Sequence, residues 1–421
     1  MAGSASVSLF QTGTAAPAPT GRAIDWLPVA SVISRPACAA DDLQLVTTRA
    51  GFDALEADWI SLFERAGRGE QMFQTFNWLW HWTNHFCVDD VATLAIVTVR
   101  REGRLIAVLP LALERVVGLK QLVFMGAPVS QYGDAIAEQV PDQEAVVEQA
   151  LRFGISRTRA DVVRLAKVRD DAIIAPVLTR MQAEMTGAEA APYADLAAAG
   201  GQEAFDRRFS TKVKKNRRRQ ERRLAEHGAI GLDWQLSQRA AADAAATTMV
   251  LKRAWLKTRG QLSRTFADPR SERFFADVCA GVQRPTGAQV SLLTTGGEIA
   301  NAAITVTVKG RQALHILAYG LKFERCAPGA FHMERLVEQA FATGVTMLDF
   351  LAPRHEYKLE WADGALRVAD YALPISLAGK AYTSVYLCYV REGAKAVLKS
   401  LPNMRGSAWA WVKATIKAVR G

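Results

Sequence analysis

Apolar residues recur along this chain with two periods, and the switches between them mark out its elements. Phe52, Leu55, Trp59, Leu62 and Phe63 follow the three-to-four spacing of one helix face, which predicts a helix over 52–66. An aromatic-dense stretch predicts a second helix over 77–86. The period then drops to two. Residues 91–99 and 105–113 read as strands joined by a turn at Glu102-Gly103, and 121–125 as a third strand leading into a loop, 126–134. A helix over 141–155, a short strand over 161–165 and a helix over 173–185 complete one α+β unit.

The order then repeats. Helices are expected over 205–227 and 240–259, strands over 290–295 and 299–308 joined at Gly296-Gly297, and a third strand over 313–319. The hairpin texts echo one another, VTVRREGRLIAVLPLAL in the first half and SLLTTGGEIANAAITVTV in the second. Two related α+β halves in tandem account for this economically. The expected divisions are a leader over 1–42, a first domain over 43–192, a second over 193–375 and a tail over 376–421.

The segment 327–361 is the most informative. Pro328-Gly329 opens a stretch in which Met333, Leu336, Val337, Ala340 and Phe341 fall on one helix face, ending at Gly344. A β-prone run over 345–351 closes on Pro353, and Tyr357-Lys358 begins another helical piece. A loop feeding a helix start leaves N–H groups without intrahelical partners where the macrodipole favours negative charge. That arrangement suits a phosphate.

Composition adds bounds. Of 421 residues half are apolar and 22% charged, the make-up of a folded globular protein long enough for two domains. No run of eighteen or more uninterrupted apolar residues occurs, which argues against a spanning helix. The opening segment lacks a basic start followed by an apolar core, so it reads as a leader without a secretory signal. Cys38, Cys87, Cys279, Cys326 and Cys388 are scattered without metal-ligand spacing, so reduced thiols in a cytoplasmic protein and no metal are expected.

The net charge of +10 is unevenly placed. Residues 207–223 carry +9 and residues 376–421 carry +7, leaving the rest of the chain at −6. Along the helix of the first run Phe205, Phe209 and Val213 form an apolar stripe and the charges a solvated face without base-stacking aromatics among them, which argues against nucleic acid. In the tail, Trp409, Val412, Ile416 and Val419 fall on one helix side and Lys413, Lys417 and Arg420 on another, the pattern of an interfacial helix. Peripheral attachment to an anionic inner-membrane surface is the expectation there, with docking on the protein body as the alternative.

Helix, helix, antiparallel strands, a strand feeding a phosphate-facing helix, then a strand and a final helix is an order similar to the GNAT acyltransferase fold. Phe73-Gln74-Thr75 with Trp78, the run Lys212 to Arg219, the Pro328-Gly329 turn, Gly344 with Asp349-Phe350-Leu351, and Tyr357-Lys358 with Trp361 together resemble the cellulose-biosynthesis (CelD/BcsL) type of GNAT protein. The resemblance covers about residues 45–375. It implies two tandem GNAT-like domains of α+β class, with mixed, mostly antiparallel sheets flanked by helices and a basic helical tail. It further implies an acyl-CoA-dependent acyltransferase with acetyl-CoA as donor and a sugar of an exopolysaccharide, or its lipid-linked precursor, as acceptor. That family is related to Fem-type aminoacyltransferases, so an aminoacyl-tRNA-dependent transferase stays open, as does a non-catalytic component of a polysaccharide synthase. Where GNAT enzymes carry several glycines in the phosphate loop, this chain carries Gly329 preceded by Phe323-Glu324-Arg325-Cys326.

The resemblance puts the donor on Gly329 and the helix it opens, with Ala330 and Phe331 supplying amides and Lys358 a charge for phosphate. Asp349, between Met347-Leu348 and Phe350-Leu351, is a carboxylate in apolar company, which is either a site acid or base or a buried anchor. His355 is a candidate base, and Tyr357 joins these two as a candidate catalytic residue. Tyr132 and Asp134, in the loop after the third strand, are candidates for the acceptor. His315 reads as a sheet histidine, and the tryptophans of 77–86 as core.

Overall fold

The computed structural model describes residues 41–88, 92–116, 118–234 and 236–384. The tail helix expected beyond Pro374 and nearly all of the leader lie outside the described residues. Fifteen strands are described: β1 (Asp42–Val46), β2 (Ala92–Leu94), β3 (Ile96–Arg101), β4 (Arg104–Leu109), β5 (Leu111–Val116), β6 (Leu119–Phe124), β7 (Ile136–Ala137), β8 (Val162–Arg169), β9 (Glu184–Asp195), β10 (Ile230–Asp233), β11 (Ala288–Thr295), β12 (Glu298–Val308), β13 (Arg311–Tyr319), β14 (Met347–Asp349) and β15 (Gly364–Pro374).

Among the described residues they form a sheet in the order β1-β3-β4-β7 and a longer one in the order β10-β11-β12-β13-β14-β9-β15-β8-β6-β5-β2. The second half contributes β10 to β13 as an antiparallel meander followed by β14, which runs parallel to β13. The first half repeats this order, with β6 and β8 as its parallel pair. Its hairpin strands are interrupted at Ala95 and Pro110, so they divide between the two sheets. Proline lacks the N–H that would continue the ladder.

The halves exchange their last strands. β9 pairs antiparallel with β14, and β15 pairs with both β9 and β8, which makes one sheet continuous across the molecule. The expected boundary at 192/193 falls inside β9. The helix expected over 173–185 is short, Ala175–Arg180, and its last two residues, 184 and 185, belong to β9.

The aromatic helix Phe76–Phe86 starts where the Thr75 side chain accepts from the Trp78 amide, an N-cap. Phe76, Trp78 and Trp82 are buried, and Trp78 meets Phe274 of the helix Pro269–Ala280 at 4.9 Å between ring centroids. A core shared by both halves results. Each such ring buries about 150–250 Å², which is why helices of low intrinsic propensity hold together here.

The basic run forms a helix, Thr211–Ala225, capped by Ser210, whose hydroxyl accepts from Val213. Arg217 is the exception on it. Its guanidinium is 7% exposed and lies 4.0 Å from the Phe209 ring and 3.9 Å from the Trp361 ring, with Glu334 at 3.5 Å and Glu360 at 3.8 Å. Lys212, Lys215, Arg218, Arg219, Arg222 and Arg223 are exposed. One arginine fastens the helix and the others face solvent.

Candidate functional site

β13 and β14 stay paired for three residues, from Arg311↔Met347 to Ala313↔Asp349, and then part. β13 runs on to Tyr319, while the chain after β14 turns away at Leu351, which has φ of 59°. Beyond Ala313 and Asp349 the two strands are no longer paired, which leaves an opening in the ladder between them. The first-half loop after β6 reaches both arms where they separate. That loop turns at Gly126, whose φ of 97° and closeness to Ser130 leave no room for a side chain.

On one arm, His315 Nε2 lies 2.7 Å from the Val129 carbonyl, so Nε2 carries the proton. Burial holds this ring at about 4, neutral at physiological pH. On the other arm, Asp349 is 1% exposed. Its Oδ1 accepts from the Tyr132 hydroxyl at 2.7 Å and the Leu351 amide at 2.9 Å, and its Oδ2 from Arg311 at 2.9 Å and Arg169 at 3.2 Å. A carboxylate with four donors and two guanidinium charges has no lone pair left to take a substrate proton. Of the two readings open for Asp349, the geometry assigns the anchor and not the base.

The residues expected to bind the acceptor in the first half are likewise engaged within the protein. Tyr132 is 2% exposed, with its hydroxyl on Asp349 and its ring 4.9 Å from the Arg169 guanidinium. Asp134 is 4% exposed and accepts from Gln71, Arg68 and the amides of Ala135, Ile173 and Ile174. Burial raises its carboxyl despite these donors. Both side chains are spent on fastening the loop.

The helix Pro328–Ala342 begins beside the opening. Its N-cap, Ala327, is left-handed with φ of 50° and supplies no capping side chain. The Ala330 amide is already bonded to the Ala327 carbonyl at 3.1 Å, and the Phe331 ring is buried. The Gly329 amide has no hydrogen-bond partner among the described residues. A Cβ built on Gly329 would lie 3.5 Å from Leu317 and 3.6 Å from Asn301 Nδ2. Asn301 is fully buried and that nitrogen is unpaired.

Asn301 is held by a relay. His332 Nδ1 is 2.7 Å from Asn301 Oδ1, and Ser291 Oγ is 2.9 Å from His332 Nε2. Burial holds His332 at about 3, so its single proton sits on Nδ1 facing the Asn301 oxygen, and the Ser291 hydroxyl donates to Nε2. The relay turns the Asn301 amino group toward the helix start. Sequence reading gave no sign of it, because Ser291, Asn301 and His332 lie on three elements.

The remaining expected residues gather past Leu351. Lys358 is 6% exposed and donates to the carbonyls of Leu351 at 2.8 Å and Pro353 at 2.9 Å, closing the loop that carries a cis Ala352-Pro353 bond. Burial pulls its ammonium down to about 8. His355 and Tyr357 are exposed and stacked, with ring centroids 5.9 Å apart and planes 12° from parallel. Partial desolvation, then Lys358 and Lys252, hold His355 below its ordinary value. Lys252, on the helix Gln238–Thr258, donates to the Leu317 carbonyl at 3.1 Å. Gly329, Leu317, Lys252, Lys358 and His355 are thereby linked around the opening, whereas Tyr132, Asp134 and Asp349 form the seam behind it.

Residues 211–359 match the model of the acetyltransferase (GNAT) domain family, and this segment holds every residue just linked. Among solved structures, the chain is similar to that of FemX, with a TM-score of 0.53 and 10% identity over 82% of this chain and 99% of that one. It also aligns with the C-terminal domain of a putative lysylphosphatidylglycerol synthetase from Agrobacterium fabrum, at TM-score 0.49 and 10% identity over 79% of this chain and 95% of that one. A tandem GNAT protein from the clavulanic acid biosynthesis pathway aligns at TM-score 0.44 and 14% identity over 79% of this chain and 98% of that one. No curated protein matches the sequence. Among the described residues no group of acids, histidines and cysteines could hold a metal, and no helix is long and apolar enough to cross a membrane.

Proposed function

We propose that the protein transfers an acyl group, acetyl in the simplest case, from a coenzyme A thioester to an amine or hydroxyl of a sugar belonging to an exopolysaccharide or its lipid-linked precursor. The observation that carries the donor assignment is the helix start at Gly329. It offers an unpartnered amide, no capping side chain and the unpaired Asn301 amino group beside the opening. These are donors without acceptors, placed where the macrodipole adds positive potential, and a pyrophosphate would satisfy them.

In this reading the thioester carbonyl lies in the opening between β13 and the chain beyond β14. The acceptor nitrogen or oxygen attacks that carbon, the C–S bond breaks, and the new C–N or C–O bond forms. His355 takes the proton lost by the nucleophile; its lowered pKa keeps it neutral and able to accept. The Tyr357 hydroxyl, on the ring stacked against His355, returns a proton to the departing thiolate. The sugar acceptor rests on the sequence resemblance to the cellulose-biosynthesis type alone.

The test is release of free coenzyme A thiol from acetyl-CoA in the presence of amino sugars. Thiol should appear with wild-type protein and fall at least a hundredfold with His355→Gln, the scale of one lost general base. Thiol release unchanged by His355→Gln would remove the histidine from the mechanism. No release with any acceptor would remove the activity.

A further inference from the structure

Resting on that reading, we propose that the acyl acceptor carries an anionic group, a carboxylate or a phosphate ester, bound at Lys252 on the rim of the opening. The Lys252 ammonium is half-buried, sits 4.4 Å from the centre of the Trp255 ring and has the Leu317 carbonyl as its hydrogen-bond partner at 3.1 Å. Trp255 is itself fixed by its indole N–H on the Tyr319 hydroxyl at 2.7 Å. Among the described residues, no carboxylate pairs with Lys252: its hydrogen-bond partner is a carbonyl and no acid acts on its charge.

Its electrostatic neighbours compound the imbalance. Lys252 acts on both Lys358 and His355, so like charges converge on the rim. Lys358 also has carbonyl oxygens as its hydrogen-bond partners. The acids that act on Lys358 are Asp349, already held by two arginines, and Glu189, which is exposed on β9. Removing an ammonium from water without a counter-charge is costly, and burial alone pulls Lys252 down to about 8. A protein that keeps two such cations together, next to the place where an acyl group is handed over, has a site for the missing negative charge.

The position separates this anion from the donor. The pyrophosphate site proposed above is the Gly329 amide and Asn301, whereas Lys252 is on another helix, across the Leu317 carbonyl. An acidic sugar would place its ring against the Trp255–Tyr319 wall and its charge on the ammonium. A ring lacking the charge would leave the ammonium unpaired.

Calorimetric titration of the full-length protein with D-glucuronate, a hexose phosphate, glucose and acetyl-CoA tests this. Both anionic sugars should bind roughly tenfold or more tightly than glucose, the scale of one charge-assisted hydrogen bond. The tighter of the two identifies carboxylate or phosphate as the natural group. Lys252→Met should abolish the preference and leave acetyl-CoA affinity within about twofold, and Lys252→Arg, which keeps the charge, should restore the preference. No preference for the anions over glucose, or a Lys252→Met loss that falls on acetyl-CoA instead, overturns the proposal. Absence of acetyl-CoA binding alongside an intact, Lys252-dependent preference overturns the donor reading and leaves the anion site standing.

Discussion

Replacing Asp349 by asparagine separates its two roles. The carboxylate ties the first half, through Tyr132 and Arg169, to the second, through Arg311 and the Leu351 amide. Asparagine keeps the shape, removes the charge and turns an amino group toward groups that, the Tyr132 hydroxyl apart, can only donate. Breaking a buried ion pair by neutralising one partner costs about 3–5 kcal/mol. Here the cost should lie at the low end, about 3 kcal/mol, because neither arginine is left wholly alone. Arg169 keeps Asp171 at 2.8 Å, and Arg311 keeps Glu70 at 3.6 Å. Urea unfolding followed by tryptophan fluorescence reads this directly. Tyr132→Phe should cost about 1–2 kcal/mol alone and add little to Asp349→Asn, since both remove the same bond. An Asp349→Asn protein with an unchanged urea midpoint and no acyl transfer would refute the anchor and reinstate the base.

Three further outcomes follow from the same geometry. Lys358 has a folded value of about 8 against an ordinary 10.5, so below about 8 it is charged in both states and its burial penalty is fully present. Between those values the unfolded chain binds more protons, so this residue's contribution to stability rises with pH by on the order of 3 kcal/mol. Urea unfolding of wild type and Lys358→Met at several pH values should show the two converging, or crossing, as pH increases; a constant difference would contradict the burial. Arg217→Met should cost about 2 kcal/mol in thermal unfolding and expose the basic helix to protease, while Arg218→Met should stay within about 0.5 kcal/mol, because only the first is enclosed by aromatic rings. Asn301→Leu should weaken acetyl-CoA binding by roughly tenfold with folding retained, whereas unchanged binding would remove that amide from the donor site.

The hairpins of both halves were legible because alternation and Gly-containing turns are local signals, and so was the helix opened by Pro328. β9 was not. Its sequence, EMTGAEAAPYAD, lacks alternation and includes Gly187 and Pro192, so it is a strand because β14 and β15 supply partners on both sides. The helix Pro269–Ala280 carried a readable start, Asp268 as N-cap followed by proline, that the periodicity reading passed over. Among candidate site residues, Gly329, His355 and Lys358 are reached through family resemblance. Asp349 was recognised as anomalous, but its role was decided by Arg169 and Tyr132, 180 and 217 residues away in sequence. Lys252 and Asn301 gave no signal, because an ordinary helix lysine and a strand asparagine become unusual only once burial leaves the one without a counter-charge and the other with an unpaired amino group.

Titration of acetyl-CoA into wild-type protein and Gly329→Asp tests the donor site most directly. The substitution has room, since a Cβ there makes ordinary contacts with Leu317 and Asn301, and an acid in the first helical turn favours the fold. The same charge repels a pyrophosphate. Wild type should bind, and Gly329→Asp should keep its melting temperature while losing at least tenfold in affinity. Equal binding by both proteins, or binding by neither, would contradict the assignment of the donor to this helix start.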